Sequence, residues 1–387
     1  MNILYIFNAP IVASAGGVQR VTEVLTKEWL RRGHRVTFLA YRYPEWMEGR
    51  IFIAPQYYIA IDGRSASDIR AEVNQLIEAN GIEYVINQLT DADMTQYLPD
   101  NVKKICVCHV QPYNMDGIRR SRIWSSKAKN FRQHLFRLAG LAFPQIPERF
   151  FARVANRAFR AAYPLVDKVC FISERFYPRL LHHVPEFPRE KLCAVYNPNT
   201  FDVDTITLNG KRENVVLFVG RIENAQKNVI GFIKMWQIFS RNNPSWRAEV
   251  IGEGSDLPYM KRYVERHAIP RINFLGRRDD VARFYEKARF LAVTSFGESW
   301  GMVVTEAMAY GCVPCVFDTY ETLHDIVDDG QNGLIVPPSP QVMAERLQKV
   351  ADDPAAWKGL SENAHEKVRA FAVDKIVDQW EELLKTL

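Results

Sequence analysis

Residues 3–40 read ILYIFNAPIVASAGGVQRVTEVLTKEWLRRGHRVTFLA. An apolar run opens this stretch, and a loop that contains the pair Gly16-Gly17 follows it. The next segment repeats apolar side chains at helical spacing, and a second apolar run ends at Ala40. The order strand, loop, helix, strand predicts the opening unit of a doubly wound α/β domain, in which ligands bind at the carboxyl ends of the strands. The glycine pair lies at that edge, although a tight turn explains it equally well.

The same layout restarts in the second half of the chain. The sequence VVLFVG at 215–220 predicts another first strand, and a helix over 227–241 and a strand over 246–251 are predicted to follow it. The two halves share this layout without sharing sequence. We therefore predict an α/β fold of two facing Rossmann-like domains with a cleft between them.

Length and composition indicate where the two domains divide. At 387 residues the chain exceeds what one hydrophobic core usually supports. Residues 197–211 turn to Asn, Pro, Thr, Asp and Gly, which indicates a linker. We therefore predict an N-terminal domain over 1–200 and a C-terminal domain over 201–372. The last predicted helix, 373–387, carries an apolar stripe, which indicates that it crosses back to pack on the first domain.

Composition excludes several other classes of protein. Hydrophobic residues make up 47% of the chain and charged residues 25%, as in a soluble globular protein, and no apolar run reaches transmembrane length. The first strand lacks the basic region that would precede a signal peptide. The six cysteines lie mostly in apolar runs, so we expect buried thiols in a reducing cytosol. Cys312 and Cys315 have no second pair nearby in sequence to complete a zinc site.

One segment makes the chain basic. The net charge is +5, yet residues 118–160 contain eleven Lys and Arg against the single acid Glu148. Apolar residues at helical spacing among these charges predict basic amphipathic helices. Two interpretations are open: docking of a cytoplasmic protein on the anionic cytoplasmic face of the membrane, or a solvated helix face. No recognition motif accompanies the charge, so we expect no nucleic-acid partner.

The stretch 296–311, FGESWGMVVTEAMAYG, carries two carboxylates separated by seven residues. The pattern predicts a helix that ends at Gly311, with Glu298 in the loop before it and Glu306 about two turns inside. N–H groups at a helix N-terminus attract anions, and a nearby carboxylate can hold hydroxyls. A phosphate with sugar hydroxyls is the ligand that this arrangement suggests. A capped helix with surface glutamates is the alternative.

Three further residues follow predicted strands or stand at the start of a predicted helix. Arg221 directly follows the strand at 215–220, and Lys227 stands at the start of the next predicted helix, where side chains converge on the predicted cleft. Together the two cations would neutralise a diphosphate and stabilise it as it leaves. Taken alone, Arg221 fits a surface salt bridge as well. His109 ends a predicted strand at the edge that carries Gly16-Gly17, and a packed histidine is the alternative there.

Six motifs follow one another along essentially the whole chain. They are GGVQR (16–20), SER (173–175), FVGRIENAQK (218–227), GEG (252–254), FLG (274–276) and FGESWGMVVTEAMAYG (296–311). In this order the motifs resemble the retaining glycosyltransferases of the GT-B fold, family 4, whose signature is two glutamates separated by seven residues. Two features depart from the family pattern. Trp300 stands where the family more often has Phe, and the loop at 197–201 reads NPNTF instead of the commoner Asn-Gly form.

The resemblance implies a role for each matching residue. Arg221 and Lys227 would hold the donor diphosphate and support its departure. Glu298 would face hydroxyls of the donor sugar, His109 would lie near the transferred sugar, and Glu306 would hold the ribose hydroxyls. The implied catalytic residues are Arg221, Lys227, Glu298 and His109. The implied donor-binding residues are Gly16, Gly17, Gly220, Gly252, Gly254, Arg277, Ser299, Trp300, Gly301, Met302, Val303 and Glu306.

The mechanism follows from these assignments. A double-displacement route needs a carboxylate nucleophile with an acid/base partner close by, whereas Glu298 is assigned to sugar hydroxyls. We therefore predict front-face transfer, in which the departing phosphate oxygen takes the proton of the acceptor hydroxyl. We expect no metal and no cofactor besides the nucleotide-sugar co-substrate, for which a UDP-sugar is favoured. The expected acceptor is a glycan or a lipid-linked sugar in surface polysaccharide or lipopolysaccharide synthesis.

Three other functions stay open. A sugar-nucleotide epimerase would convert the donor without any acceptor. A phosphorylase would need a lysine suited to pyridoxal phosphate and would usually be much longer. A catalytically silent module would bind a nucleotide-sugar without turnover, although the intact set of Arg221, Lys227, Glu298 and Glu306 argues against it.

Overall fold

The computed structural model describes residues 1–12, 14, 16–89, 92–112, 145–208 and 210–387, with the backbone alone for residues 46, 145–152 and 154. The strands are β1 (Asn2–Phe7), β2 (Arg35–Ala40), β3 (Gln56–Tyr58), β4 (Tyr84–Asn87), β5 (Lys103–Cys108), β6 (Lys168–Phe171), β7 (Leu192–Ala194), β8 (Glu213–Val219), β9 (Arg247–Ile251), β10 (Ile272–Gly276), β11 (Ala288–Val293), β12 (Val313–Phe317) and β13 (Leu334–Val336). The α-helices are α1 (Gly17–Arg31), α2 (Ala66–Asn80), α3 (Gln145–Ala162), α4 (Tyr177–His183), α5 (Asn224–Lys227), α6 (Val229–Phe239), α7 (Leu257–Arg266), α8 (Ala282–Lys287), α9 (Met302–Ala309), α10 (Leu323–Ile326), α11 (Pro340–Ala351), α12 (Pro354–Val368) and α13 (Val373–Lys385).

These elements form two compact units. The first contains Met1–Tyr113, Arg149–Thr200 and Phe371–Leu387, and the second contains Phe201–Ala370. The first unit holds a seven-stranded sheet in the order β3-β2-β1-β4-β5-β6-β7, and the second holds a six-stranded sheet in the order β10-β9-β8-β11-β12-β13. Every strand pair in both sheets is parallel. The predicted α/β architecture with two Rossmann-like sheets is therefore confirmed.

The strand order of each sheet reverses at one point. In the first unit β1 lies between β2 and β4, and in the second unit β8 lies between β9 and β11. In an open parallel sheet, ligands bind beyond the carboxyl ends of the strands at such a reversal. Topology therefore directs attention to the loops after β1 and β4 in one unit and after β8 and β11 in the other.

Helix α1 shows why the opening stretch folds as predicted. Val21, Leu25 and Trp29 are buried at the spacing of one helix face, and they cover the sheet that begins with β1. The indole N–H of Trp29 donates a hydrogen bond to Tyr5 Oη at 3.0 Å, so the polar ends of two large buried side chains satisfy each other. Gly33, with φ +82°, follows the helix and leads into β2.

The last helix returns to the first unit, as predicted. Ile376, Val377, Trp380 and Leu384 form its buried face. Arg32, beyond the end of α1, donates to Asp378 at 2.6 Å and to Glu381 at 3.2 Å. Apolar burial therefore holds α13 on this unit, and the ion pairs with Arg32 fix it beside α1.

Two predicted elements differ from the observed ones. The helix predicted over 227–241 is broken at Asn228, whose left-handed φ of 49° separates α5 from α6. The Asn228 side chain accepts a hydrogen bond from the N–H of Gly231 and so caps α6. The apolar run 51–61 likewise predicts a strand from sequence, yet it forms only the short strand β3, because its remaining residues are loops. Local hydrophobicity alone gave no signal for either break.

The basic segment is described only in part. Of the basic amphipathic helices predicted over 118–160, residues 118–144 lie outside the described residues, whereas α3 covers the remainder. Arg153 and Arg157 are exposed on α3, and Arg160 pairs with Glu186 at 2.6 Å. None of the helices within the described residues combines the length and apolar character that crossing a membrane requires.

Five of the six cysteines are buried, as expected, and Cys193 is half-buried. All six are free thiols. Burial raises the pKa of the Cys312 thiol to about 12 and also raises that of Cys315. These two thiols stay protonated at neutral pH, so the C-x-x-C sequence serves as packing at the start of β12.

Candidate functional site

Two loops meet at the strand reversal of the second unit. The loop after β8 leads into α5, and the loop after β11 leads into α9. The N–H of Phe296 donates to the carbonyl of Gln226 at 2.8 Å, and the Thr294 hydroxyl donates to the carbonyl of Asn228 at 2.9 Å. These bonds join segments about seventy residues apart in sequence and so fix the side chains that the two loops carry.

The two loops bring Lys227 and Glu298 into direct contact. Lys227 Nζ lies 2.6 Å from Glu298 Oε1, and the side chains are only 16% and 11% exposed. The Ser295 hydroxyl donates to the same carboxylate oxygen at 2.6 Å. The resemblance implied that Lys227 holds a diphosphate and Glu298 holds sugar hydroxyls. In the structure the two side chains bind each other, and their assigned contacts with the donor stay predictions.

Arg221 occupies a different environment from Lys227. Its side chain is 62% exposed, and its guanidinium pairs with Glu223 at 3.1 Å and donates to Gln226 at 2.7 Å. Arg277 is similarly exposed at 59% and lies 3.7 Å from Asp279. Both arginines have the surface ion pairs that sequence analysis left open for Arg221. Their assigned contacts with the donor stay predictions.

Helix α9 begins at a constrained glycine. Gly301 has φ +85°, and a Cβ on this residue would lie 2.7 Å from the hydroxyl of Tyr320. Both the backbone conformation and the space therefore require glycine here. The first N–H groups of a helix have no partner within it, so Met302 and Val303 present donors at this end of α9.

Side chains from the β12–α10 loop fix the approach to α9. The Thr319 hydroxyl donates to the carbonyl of Ser295, and the Thr322 hydroxyl donates to the carbonyl of Ser299, each at 2.8 Å. Trp300 is buried and anchors the turn between them. The segment 295–301 is therefore held from both sides before any ligand arrives, which suits a preformed anion site.

Glu306 is buried within α9. Helix α9 starts at Met302, so Glu306 lies one turn inside it and not the two turns predicted. Tyr285 Oη donates to Glu306 Oε2 at 3.0 Å. The surface-glutamate alternative is wrong for this residue, whereas its assigned contact with ribose stays a prediction.

The GEG loop packs directly on the loop after β8. A Cβ on Gly252 would lie 1.8 Å from the carbonyl oxygen of Gly220, and one on Gly254 would lie 2.4 Å from that of Ile222. The N–H of Ile222 also donates to the carbonyl of Glu253 at 2.8 Å. Close backbone packing therefore accounts for both glycines, and it positions the loop that carries Arg221 and Lys227.

The strand ends of the first unit carry neutral groups. His109 directly follows β5, and its Nε2 hydrogen-bonds to Oε1 of Gln88, which directly follows β4. His109 keeps part of its surface accessible, yet burial lowers its pKa to about 4, so the ring is neutral at physiological pH. Gly16 has an extended backbone, and a Cβ there would approach only the end of the Gln19 side chain, at 2.9 Å, whereas a Cβ on Gly17 would meet no atom of the described residues within 4 Å. Neither glycine is required by the packing around it.

Sequence analysis missed four polar side chains at these sites. Ser295 stands three residues before Glu298, and Gln88 ends a strand as His109 does, so strand-end position could have identified both. Tyr285 and Tyr320 come from distant parts of the chain, and no local signal marks them. Burial, with a smaller contribution from the Glu298 charge, raises the pKa of Tyr320.

The described residues contain no candidate metal site. No group of three or more His, Cys, Asp and Glu side chains there could hold a metal ion. The expectation of metal-independent chemistry stays a prediction.

Known proteins match the chain along most of its length. The family model described as Glycosyltransferase Family 4 matches residues 15–199, and the model described as Glycosyl transferases group 1 matches residues 202–367. A Campylobacter jejuni alpha-1,4-N-acetyl-D-galactosaminyltransferase, named for a PP-undecaprenol-linked acceptor, is 27% identical over 232 residues, covering 58% of this chain and 62% of that one. Across eight curated relatives, this chain spans between 16% and 62% of their lengths.

Solved structures share the whole fold. Anabaena HepE in complex with UDP and glucose superposes with a TM-score of 0.72 at 17% identity, covering 100% of both chains. The lipopolysaccharide outer core galactosyltransferase WaaB in its apo form gives a TM-score of 0.69 at 16% identity, also covering 100% of both chains. The two family models follow one another in the order of the two sheets. The chain therefore belongs to the glycosyltransferases of the GT-B fold, family 4.

Proposed function

We propose that the protein transfers a sugar from a nucleotide-sugar, with UDP as the favoured nucleotide, to a hydroxyl of a glycan or lipid-linked acceptor. The observation that carries this proposal is the preformed group of Lys227, Glu298 and Ser295 beside the N-terminus of α9. Two relatives support it. One is named for a PP-undecaprenol-linked acceptor, and one was crystallised with UDP and glucose. Such acceptors are typical of surface polysaccharide and lipopolysaccharide synthesis.

Donor binding would exchange one partner of Lys227 for another. In the free protein its ammonium compensates Glu298 at 2.6 Å in a mostly buried position. A diphosphate at the first N–H groups of α9 would offer a stronger anion, and Lys227 would turn to it while Arg221 supplied a second cation. Gly220 lies beside the Lys227 side chain, where a Cβ would be in van der Waals contact with Lys227 Cε at 3.7 Å.

Glu298 would then be available for the donor sugar. Release of Lys227 frees the carboxylate to accept hydrogen bonds from sugar hydroxyls, while Ser295 keeps it oriented. Glu306 would accept from the ribose hydroxyls, with Tyr285 holding its other side. Each carboxylate therefore binds hydroxyls in this proposal, and neither serves as a nucleophile.

The transfer step then proceeds on one face of the sugar. The acceptor oxygen forms its bond to the anomeric carbon on the side from which the diphosphate leaves, as the bond from that carbon to the phosphate oxygen breaks. The acceptor proton passes to the departing phosphate oxygen. Lys227, Arg221 and the N–H groups of α9 stabilise the charge that develops there. The products are a glycosylated acceptor of retained configuration and a nucleoside diphosphate.

Purified protein offered a panel of nucleotide-sugars and lipid-linked acceptors tests this proposal. We expect transfer from at least one UDP-sugar, with the anomeric configuration of the product retained by NMR and with full activity in the presence of a chelator. Inversion or loss on chelation would contradict the mechanism. Conversion of the donor without any acceptor would favour an epimerase, and tight donor binding without turnover would favour a silent module.

We propose further that the protein works at the cytoplasmic face of the membrane, with α3 as part of the docking surface. The exposed Arg153 and Arg157 stand one helical turn apart and present two cations without a carboxylate between them. Reversing both charges to Glu should reduce binding to anionic vesicles while leaving donor hydrolysis unchanged. A matched control reverses the exposed Lys261 and Lys358 of the second unit. Equal vesicle binding by the wild type and the α3 variant would favour the solvated-face interpretation.

A further inference from the structure

Gln88 and His109 form a side-chain pair that the functional assignments so far leave unexplained. They follow the neighbouring strands β4 and β5, at the carboxyl edge of the first sheet. Gln88 is 4% exposed, and its side-chain oxygen hydrogen-bonds to Nε2 of His109. Gln88 follows β4 at the strand reversal of the first sheet, so its buried amide and the neighbouring His109 have positions suited to a ligand site.

The surroundings of Gln88 hold it in place. Its own N–H donates to the carbonyl of Ile6 in β1 at 2.8 Å. The neighbouring Asn87 accepts from the N–H of Leu89 at 3.1 Å and donates to the Thr95 hydroxyl at 2.8 Å. Backbone and side-chain bonds therefore fix the start of the turn after β4, and Gln88 presents its amide from a rigid support.

The chemistry of this pair determines the state of the imidazole. The carboxamide oxygen of Gln88 faces the ring, and because this oxygen can only accept a hydrogen bond, Nε2 of His109 carries the hydrogen in this arrangement. Burial keeps the ring neutral by lowering its pKa to about 4, and no charged side chain in the described residues contributes to that shift. A neutral ring protonated at Nε2 has its lone pair at Nδ1. Nδ1 is therefore the ring atom that can accept.

We propose that Gln88 is a positioning residue, which holds His109 in the Nε2–H tautomer so that Nδ1 accepts a hydrogen bond from a substrate hydroxyl. The inference rests on the proposed transferase function, because it gives His109 a sugar hydroxyl as its partner. The hydroxyl belongs either to the donor sugar or to the acceptor. The Gln88 amide itself touches neither substrate.

The first test reads the tautomer directly. Nitrogen-15 NMR of histidine-labelled full-length protein, with His109→Gln to assign the signal, should show a neutral ring protonated at Nε2 from pH 5 to 8. Gln88→Met keeps the side-chain length but removes the amide acceptor, so it should mix the two tautomers. A wild-type ring protonated at Nδ1 would overturn the proposal.

The second test uses the pH profile. Gln88→Glu places a carboxylate beside the ring, favours the imidazolium and raises the pKa of His109. Below that raised pKa both nitrogens carry hydrogens and Nδ1 no longer accepts, so the transfer rate should fall as the pH falls, whereas the wild-type rate should stay flat over the same range. Superimposable profiles would contradict the proposal. Gln96→Met and Gln96→Glu, at an exposed glutamine, serve as matched controls.

The rates also separate the two possible hydroxyls. If the partner is an acceptor hydroxyl, Gln88→Met should lower kcat for transfer about tenfold, which corresponds to the loss of one hydrogen bond. Donor affinity measured without acceptor should then stay unchanged. If the partner is a donor hydroxyl, hydrolysis of the donor should fall by the same factor. No change in either rate would overturn the proposal. Absence of transfer by the wild type would instead contradict the proposed function, and the NMR result would still decide the tautomer.

Discussion

The two strand reversals of the molecule carry different chemistry. In the second unit, Lys227, Glu298 and Ser295 form a charged group beside a helix N-terminus. In the first unit, Gln88 and His109 form a neutral pair, and burial keeps the imidazole uncharged. The same sheet topology supports both, so topology selects the place and the side chains select the ligand. Paired charges suit a diphosphate that arrives and leaves, whereas a neutral acceptor suits a hydroxyl.

The glycines around the two sites differ in the same way. The carbonyl of Gly220 leaves no room for a Cβ on Gly252, whereas a Cβ on Gly17 would meet no atom within 4 Å in the part of the chain that the structure describes. The glycines of the second unit build the loop that carries the cations. Those of the first unit leave accessible space. Four predictions, from the largest effect to the smallest, test this contrast.

Substitution of Gly252 should have the largest effect. Gly252→Ala puts a Cβ 1.8 Å from a backbone oxygen at a residue with φ +138°, so the two loops must separate. We expect the free energy of unfolding of the second unit to fall by roughly 4 kcal/mol or more, or the variant not to fold. Thermal and urea unfolding measure this effect. A variant as stable as the wild type would show that the two loops do not depend on close packing.

Truncation of Lys227 should have the next largest effect, on activity. Lys227→Met removes the charge that compensates Glu298 and would stabilise the leaving diphosphate, so transfer should fall roughly 100- to 1,000-fold. It should also lower stability, because a mostly buried carboxylate loses its partner, and Lys227→Met with Glu298→Met should recover stability but not activity. Steady-state rates and melting curves test both effects. Lys234→Met, at an exposed lysine of α6, is the control.

Low pH should lower the stability of the first unit by weakening the ion pairs that hold α13 on it. Burial opposes the ionisation of Glu381, but hydrogen bonds from His34 and Arg32 outweigh it and hold its pKa below the usual range. Because the pKa of Glu381 is lower in the folded state than in the unfolded state, its ionised carboxylate stabilises the folded state at pH values above the unfolded pKa of about 4.3. This stabilisation is lost as the pH falls through the folded pKa. Glu381→Gln should therefore cost about 1 kcal/mol at pH 7 and less near pH 3. An equal loss at both pH values in urea titrations would contradict this account.

Gly17→Ala should have the smallest effect on folding. Among the described residues no atom lies within 4 Å of the added Cβ, and the helical position favours Ala, so the free energy of unfolding should change by less than about 1 kcal/mol. Reduced transfer in a fully folded variant would identify Gly17 as a point of close substrate approach, as the resemblance implies. Unchanged transfer would assign it to the turn that starts α1.

The outline of the fold was available from the sequence. The second strand ends at Ala40 as predicted, and the strand predicted over 246–251 and the helix predicted over 373–387 occur close to their predicted bounds, because local hydrophobic periodicity encodes which face is buried. Asn228 shows where that information ends. Asn228 has a left-handed backbone within an apolar helical pattern, and its side chain caps α6 by accepting a hydrogen bond from the N–H of Gly231. Hydrophobic periodicity does not predict this break.

The sequence alone identified the candidate residues of the site and determined that they lie in the segments that follow the strands. Motif spacing placed Lys227, Glu298 and His109 there because parallel strands end at one edge. Only the tertiary structure decided how these groups are paired. Lys227 meets Glu298 and His109 meets Gln88 through contacts between residues 71 and 21 positions apart. Such pairings depend on how loops from different strands pack, and that packing is a property of the folded chain that no local stretch of sequence records.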